Sequence, residues 1–204
     1  MLKARIAVLV SGGGTNLQAL IDAQKRGDLK SGEIVLVVSN VKSAFALERA
    51  KNAGIDGVFI SKKAHGGTQE GFEAELSRLL DEYKIDLIIL AGYMSILSAD
   101  FTRRYPERII NIHPALIPSF CGKGYYGLKV HEAALSYGVK VTGATVHFVN
   151  EIPDGGRIIL QKAVNIKDGD TPEVLQRRVM EEAEWILLPR AAELVSKEIM
   201  EEKA

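Results

Sequence analysis

The sequence predicts an α/β fold: a doubly wound, mostly parallel sheet with a C-terminal antiparallel hairpin and a long C-terminal helix. Three observations carry this. Residues 5–11, 34–39 and 85–90 are short, nearly continuous apolar runs, as expected of central parallel strands buried on both faces. Helical stretches alternate with these runs, the order of a sheet covered by helices. Farther on, residues 139–149 and 157–164 read as strands joined only by Asn150-Glu151-Ile152-Pro153-Asp154-Gly155-Gly156, a link short enough to make them an antiparallel hairpin.

The elements follow in order. After the first strand, Ser11-Gly12-Gly13-Gly14-Thr15-Asn16 turns into Leu17-Gln18-Ala19-Leu20-Ile21, which has helical spacing. Free amides at a helix start favour an anion, phosphate above all, and Thr15 and Asn16 can add side-chain hydrogen bonds or cap the helix. The loop lacks the Gly-Lys-Ser/Thr ending of a P-loop. Leu17 stands where a dinucleotide fingerprint has its third glycine, and the second strand ends in Ser39-Asn40 without a ribose-binding acid. The loop therefore points to phosphate rather than NAD, with tight strand–helix packing as the bland alternative. Residues 43–53 form a helix closed by Gly54, 57–60 a strand, 62–67 a loop, and 68–83 an amphipathic helix with Phe72, Leu76, Leu79 and Leu80 on one face. After the strand at 85–90, Ala91-Gly92-Tyr93-Met94-Ser95-Ile96-Leu97 is apolar for a loop. It suits the wall of a cleft for a flat aromatic ligand, although Met94 and Leu97 also suit the core.

A short helix at 99–105 leads to a strand over 108–112 that closes in Asn111-Ile112-His113-Pro114. On a strand, Asn111 and His113 share one face, and Pro114, with no amide hydrogen, disfavours continuing it. An amide and an imidazole thus project together at a strand's carboxyl end, where open α/β sheets bind ligands. A capped strand end with a surface histidine is the alternative. Residues 115–127 are irregular, and long loops of this kind are often functional lids or disordered. Cys121 lies here, and nothing in the sequence specifies a nucleophilic pairing for it. Residues 128–137 are helical. Pro-Asp-Gly-Gly is good turn chemistry, which by itself accounts for Asp154. Asp168-Gly169-Asp170-Thr171-Pro172 starts a last helix over 172–200, with a kink or break expected at Pro189 and a fraying charged tail over 198–204.

Composition bounds the function. The chain has 204 residues, 47% hydrophobic and 25% charged, enough for one domain with a substantial core. Twenty-six basic residues balance 26 acidic ones, and neither sign forms a block, so no nucleic-acid partner is expected. No apolar run reaches membrane-spanning length, and residues 1–4 do not form a signal or transit segment, so a cytoplasmic protein without a membrane partner is expected. The single cysteine, Cys121, excludes an intrachain disulfide and a cysteine metal cluster.

Taken together, Ser11–Gln18, Ala91–Leu97, Asn111-Ile112-His113-Pro114-Ala115-Leu116-Ile117-Pro118, and Val146-His147-Phe148-Val149 with Asp154-Gly155-Gly156 resemble the phosphoribosylglycinamide formyltransferase family of folate-dependent enzymes, nearly end to end. The resemblance implies a Rossmann-like formyltransferase fold in a single domain, 1–204. Residues 1–107 would be a phosphate-binding half and 108–204 a catalytic and folate-facing half. It implies transfer of formyl from 10-formyltetrahydrofolate, a co-substrate, to the amine of a glycinamide ribonucleotide in purine biosynthesis. No metal is implied, the partners are small molecules, and a monomer or homodimer is expected. Asn111, His113 and Asp154 match the catalytic trio; Gly14, Thr15 and Asn16 match the phosphate loop; Met94, Ser95, Ile96 and Leu97, with Asn111, match the folate segment. Glu184, five residues before Pro189, falls where the family has a glutamate that helps hold the ribonucleotide. The chain departs from the family at Ser95 and near Gln69, where arginines are common, and residues 122–126 lengthen the loop beyond His113.

Formyl transfer needs donors placed where an oxyanion develops. Asn111 and a protonated His113 can donate, and Asp154 would raise the imidazole pKa or hold a water that moves the proton. The alternatives are a formyltetrahydrofolate hydrolase, which carries a further regulatory domain, and a methionyl-tRNA formyltransferase, which needs an RNA-binding domain and a basic surface. A non-catalytic phosphate-binding module would have no use for the trio.

Overall fold

The computed structural model describes residues 2–204. Seven strands form one sheet in the order β3-β2-β1-β4-β5-β6-β7. They are β1 (Ala4–Val10), β2 (Gly32–Ser39), β3 (Asp56–Phe59), β4 (Leu87–Leu90), β5 (Ile109–His113), β6 (Val141–Phe148) and β7 (Ile158–Asn165). The first five are parallel, and β5–β6 and β6–β7 are antiparallel. The order reverses between β1 and β4, so the loops leaving these two strands diverge and open a crevice at their carboxyl ends.

Alternation along β1 shows why the sheet is covered on both sides. Ile6, Val8 and Val10 face one core with Leu17 and Leu20 of helix α1 (Thr15–Arg26) and Leu187 and Leu188 of α7 (Trp185–Glu202). Ala7 and Leu9 face the other core, with Phe72 and Leu76 of α3 (Gln69–Glu82) and Phe101 of α4 (Ala99–Arg104). The remaining helices are α2 (Phe45–Asn52), α5 (Leu128–Tyr137) and α6 (Pro172–Val179). Thr68 and Thr171 cap α3 and α6, their hydroxyls accepting from the Gly71 and Val174 amides.

Two expectations fail at the C-terminal end. The long helix is interrupted, but five residues ahead of Pro189, by a π-helical turn at Met180–Glu184; Pro189 itself lies inside α7. The amide that Pro189 lacks would have served the Trp185 carbonyl, and the widened turn ends immediately before that residue. The tail also does not fray within 198–202: α7 continues to Glu202. Glu202 pairs with Arg108, and Lys203 with Asp86, so long-range ion pairs tie the end of the chain to β4 and β5.

The β6–β7 connection depends on close backbone approach. A Cβ on Gly156 would stand 1.8 Å from the Phe148 carbonyl oxygen. Gly156→Ala should therefore open the base of the turn and destabilise the protein by about 2–3 kcal/mol or more, with a lowered midpoint of urea unfolding. A wild-type midpoint would mean that the turn can relax around a methyl group.

Candidate active site

At the carboxyl end of β5 the side chains part. Ile110 and Ile112 enter the core, and Asn111 and His113 take the other face. Asp154 reaches them from the β6–β7 turn. Its φ is +56°, a left-handed conformation that aspartate and asparagine tolerate better than most residues. One carboxylate oxygen, Oδ2, accepts from the Gly122 amide at 2.7 Å and lies 3.6 Å from His113 Nδ1. The other, Oδ1, lies 3.5 Å from His147 Nε2.

His147 is the site residue that sequence reasoning missed. It stands opposite Asn111 in the antiparallel register of β5 and β6, and its Nε2 is 3.2 Å from Asn111 Nδ2. The signal was present in the hairpin prediction, but it required pairing β6 with β5 as well as with β7. The His147 Nδ1–H donates to the Phe148 carbonyl at 2.8 Å. When neutral, the ring accepts from the Asn111 amide; when protonated, it donates to Asp154. His113 Nε2–H donates to the Phe120 carbonyl at 2.8 Å, leaving Nδ1 toward Asp154.

The electrostatics qualify one expectation. Burial, the largest influence, holds the His113 pKa below its ordinary value, although the Asp154 charge and the Phe120 carbonyl push it up; the charge of His147 adds to the lowering. Asp154 thus acts in the expected direction, but burial outweighs it and disfavours the charged imidazole in the free protein. Burial acts on Asp154 in the upward direction, but hydrogen bonding to His147, the His113 charge and the Gly122 amide together hold its pKa below the usual carboxylate value. Cys121 does not resemble a nucleophile. Its thiol donates to the Pro118 carbonyl at 3.3 Å, and burial and the Asp154 charge push its pKa up.

These groups open onto a cleft of about 780 Å³, lined by Asn16, Met94, Ser95, Ile96, Asn111 and His113, by the Gly122–Gly127 loop, and by Asp154, Gln176, Met180 and Glu184. Met94 and Ile96 are 54% and 67% exposed, whereas Leu97, at 7%, is core packing beneath the wall. The loops are fastened to each other at the switch point. The Met94 amide donates to Ser11 Oγ, which donates to Asn40 Oδ1, and Asn40 Nδ2 donates to Ser95 Oγ. The Ser95 hydroxyl thus ties strand ends together. Gln69 donates to Glu73 and to the Ile96 carbonyl.

Gly14 caps α1 at φ +70° with no side-chain cap. A Cβ there would come within 2.7 Å of the Ala46 Cβ. Neither Thr15 nor Asn16 caps the helix. Thr15 Oγ1 donates to Met180 Sδ at 3.8 Å and lines a separate cavity of about 350 Å³ with Gln18, Arg49 and Trp185. Asn16 is the member of the loop that lines the cleft. Its Nδ2 donates to Glu184 Oε2 at 2.6 Å, and its buried Oδ1 has no protein partner among the described residues. Burial raises the Glu184 pKa to about 7, against the lowering effect of the Asn16 hydrogen bond. The π-turn ends at Glu184 and places it on the cleft floor.

The model of one protein family, described as formyl transferase, matches residues 4–191. A trifunctional purine biosynthetic protein adenosine-3 of Gallus gallus is 46% identical over 194 residues, 95% of this chain and 18% of that protein. A chloroplastic phosphoribosylglycinamide formyltransferase of Arabidopsis thaliana is 42% identical, with 88% of this chain and 61% of that protein covered. The chain thus spans less than two thirds of these relatives. A solved glycinamide ribonucleotide transformylase 1 from Symbiobacterium toebii is 42% identical with a TM-score of 0.89, covering 96% of this chain and 89% of that one. The phosphoribosylglycinamide formyltransferase of Brucella melitensis gives 40%, a TM-score of 0.87, and 96% of both chains.

Proposed function

The chain belongs to the formyl transferase family, and on that premise we propose that it transfers the formyl group of 10-formyltetrahydrofolate to the amine of N1-(5-phospho-D-ribosyl)glycinamide in purine biosynthesis. The observation that carries this reading is the meeting of Asn111, His113 and Asp154 in one cleft between the exposed Met94–Ile96 wall and the Asn16–Glu184 pair. The amine is the nucleophile. Its lone pair forms the new C–N bond while the carbonyl pair moves onto oxygen. The Asn111 amide donates to that oxyanion, and so does His113, whose Nε2–H is held by Phe120 in the free protein. A preorganised donor of this kind is worth about 3 kcal/mol.

Asp154, ionised and beside His113, favours an imidazolium that has taken its extra proton from solvent, and this is the donor that meets the oxyanion. Asp154 also serves as the relay through which the proton leaving the amine reaches nitrogen 10 of the departing folate. The products are the N-formyl amide and tetrahydrofolate. The amides at the start of α1, from Gly14 to Asn16, receive the phosphate, and Glu184 with Asn16 accepts ribose hydroxyls. Met94, Ser95 and Ile96 face the folate, with Leu97 supporting them from the core.

Folate release measured with and without the glycinamide ribonucleotide tests this. Release should require the amine. Amine-independent release would identify a hydrolase, and binding without release a non-catalytic module.

A further inference from the structure

His147 touches two members of the trio, and the reaction above gives it no part. It stands opposite Asn111 in the register of β5 and β6, so both side chains leave the same face of the sheet, and its ring is buried. Its Nδ1 lies 2.8 Å from the Phe148 carbonyl oxygen. A carbonyl only accepts, so Nδ1 carries the proton and the neutral ring keeps its lone pair on Nε2. That lone pair meets Asn111 Nδ2 at 3.2 Å, with Asp154 Oδ1 at 3.5 Å. The two ends of an asparagine amide are nearly equal in size, and the strand alone does not choose which of them faces the ring. The ring chooses. With the amide reversed, Oδ1 would face the Nε2 lone pair, and two buried acceptors would meet with no hydrogen between them. With Nδ2 toward the ring, one amide hydrogen serves His147 and the other is left for the oxyanion.

We propose that His147 is a positioning residue for formyl transfer: its neutral imidazole fixes the Asn111 amide with Nδ2 toward the ring, so that the second N–H of Asn111 meets the oxyanion. This rests on the reading of Asn111 as the oxyanion donor of a formyltransferase. A donor stabilises developing charge to the degree that it is oriented before the charge appears, and an amide free to turn would present its own oxygen to the oxyanion in one of its two settings. The protonated ring has no lone pair for the amide and donates to Asp154 instead, so the role belongs to the neutral ring.

The test is steady-state kinetics of His147→Phe, which removes both ring nitrogens, and of His147→Gln, whose Oε1 can accept from Asn111, each made in the wild-type, Asn111→Ala and Asp154→Asn backgrounds. In the wild-type background His147→Phe should lower kcat by about tenfold or more, with KM for both substrates held within about twofold, and His147→Gln should recover most of the loss. In the Asn111→Ala background His147→Phe should cost almost nothing further, whereas in the Asp154→Asn background it should keep its full cost. Equal costs in the wild-type and Asn111→Ala backgrounds overturn the role. So does a cost that vanishes only with Asp154→Asn, since His147 would then act through the carboxylate. Nitrogen-15 NMR of histidine-labelled wild type, with the His147 signals identified by their loss in His147→Gln, needs neither turnover nor a folded phenylalanine variant. In the neutral ring Nδ1 should carry the proton and Nε2 none; a proton on Nε2 overturns the positioning. A wild type that binds its substrates without transferring formyl overturns the catalytic reading itself, and the role of His147 with it, whichever tautomer the ring adopts.

Discussion

Asp154→Asn is expected to lower kcat for formyl transfer by about 10²–10⁴-fold without disturbing the fold. The substitution isolates charge. Asparagine tolerates the left-handed backbone at φ +56° as aspartate does, and its carbonyl can still accept from the Gly122 amide. What disappears is the negative charge 3.6 Å from His113 Nδ1. That charge pushes the His113 pKa up against burial, so the variant's imidazole should titrate at still lower pH. Turnover that needs the imidazolium falls as pH rises through this pKa, so that alkaline-side limb of the kcat profile should move to lower pH. His113→Ala should lose a comparable factor but should no longer show that limb. Steady-state rates across pH, with circular dichroism to confirm folding, check both. Near-normal turnover by a folded Asp154→Asn protein would remove Asp154 from the chemistry and leave it as turn structure.

The scaffold was legible because its signals are local. The apolar runs at β1, β2 and β4 are nearly continuous over a few residues, and the face of α3 is a period-3.6 pattern. The turn at Asp154-Gly155-Gly156 was legible as a turn, and only the family resemblance lifted Asp154 out of that role. What stayed hidden is long-range. His147 joins the site through the register of β5 against β6. Leu97 belongs to the core because α3 and α4 close over it. The direction of the His113 pKa depends on burial by elements distant in sequence, which a count of nearby charges could not supply. The π-turn was hidden for a different reason. Pro189 announces a missing hydrogen bond, but where the helix widens depends on packing, and here the widened turn delivers Glu184 to the cleft.

Glu184→Gln is expected to make the protein more stable at pH 8 and worse at holding ribonucleotide. In the folded chain the Glu184 pKa is raised to about 7 from 4.5, chiefly by burial. Below pH about 4.5 the carboxyl is protonated in both folded and unfolded states. As pH rises toward 7 the unfolded chain releases the proton while the folded chain keeps it, so stability falls through that window and then levels off. The full loss is about 3 kcal/mol at about 1.4 kcal/mol per pH unit. Glutamine does not titrate, and its carbonyl can still accept from Asn16 Nδ2, the partner at 2.6 Å. Urea unfolding at pH 5 and pH 8 should therefore show the wild type losing stability that the variant keeps. Affinity should move the other way. A carboxylate accepts ribose hydroxyls in charge-assisted hydrogen bonds, roughly twice as strong as neutral ones, so ribonucleotide binding to the variant should weaken by about tenfold. Wild-type binding should itself weaken below pH about 7, where Glu184 is protonated. Equal pH dependence of stability in the two proteins would show that Glu184 ionises normally. Unchanged ribonucleotide affinity would remove it from the substrate site. The opposite signs of the two effects are the diagnostic feature, because a residue kept only for packing has no reason to remain a buried acid that stability alone would replace.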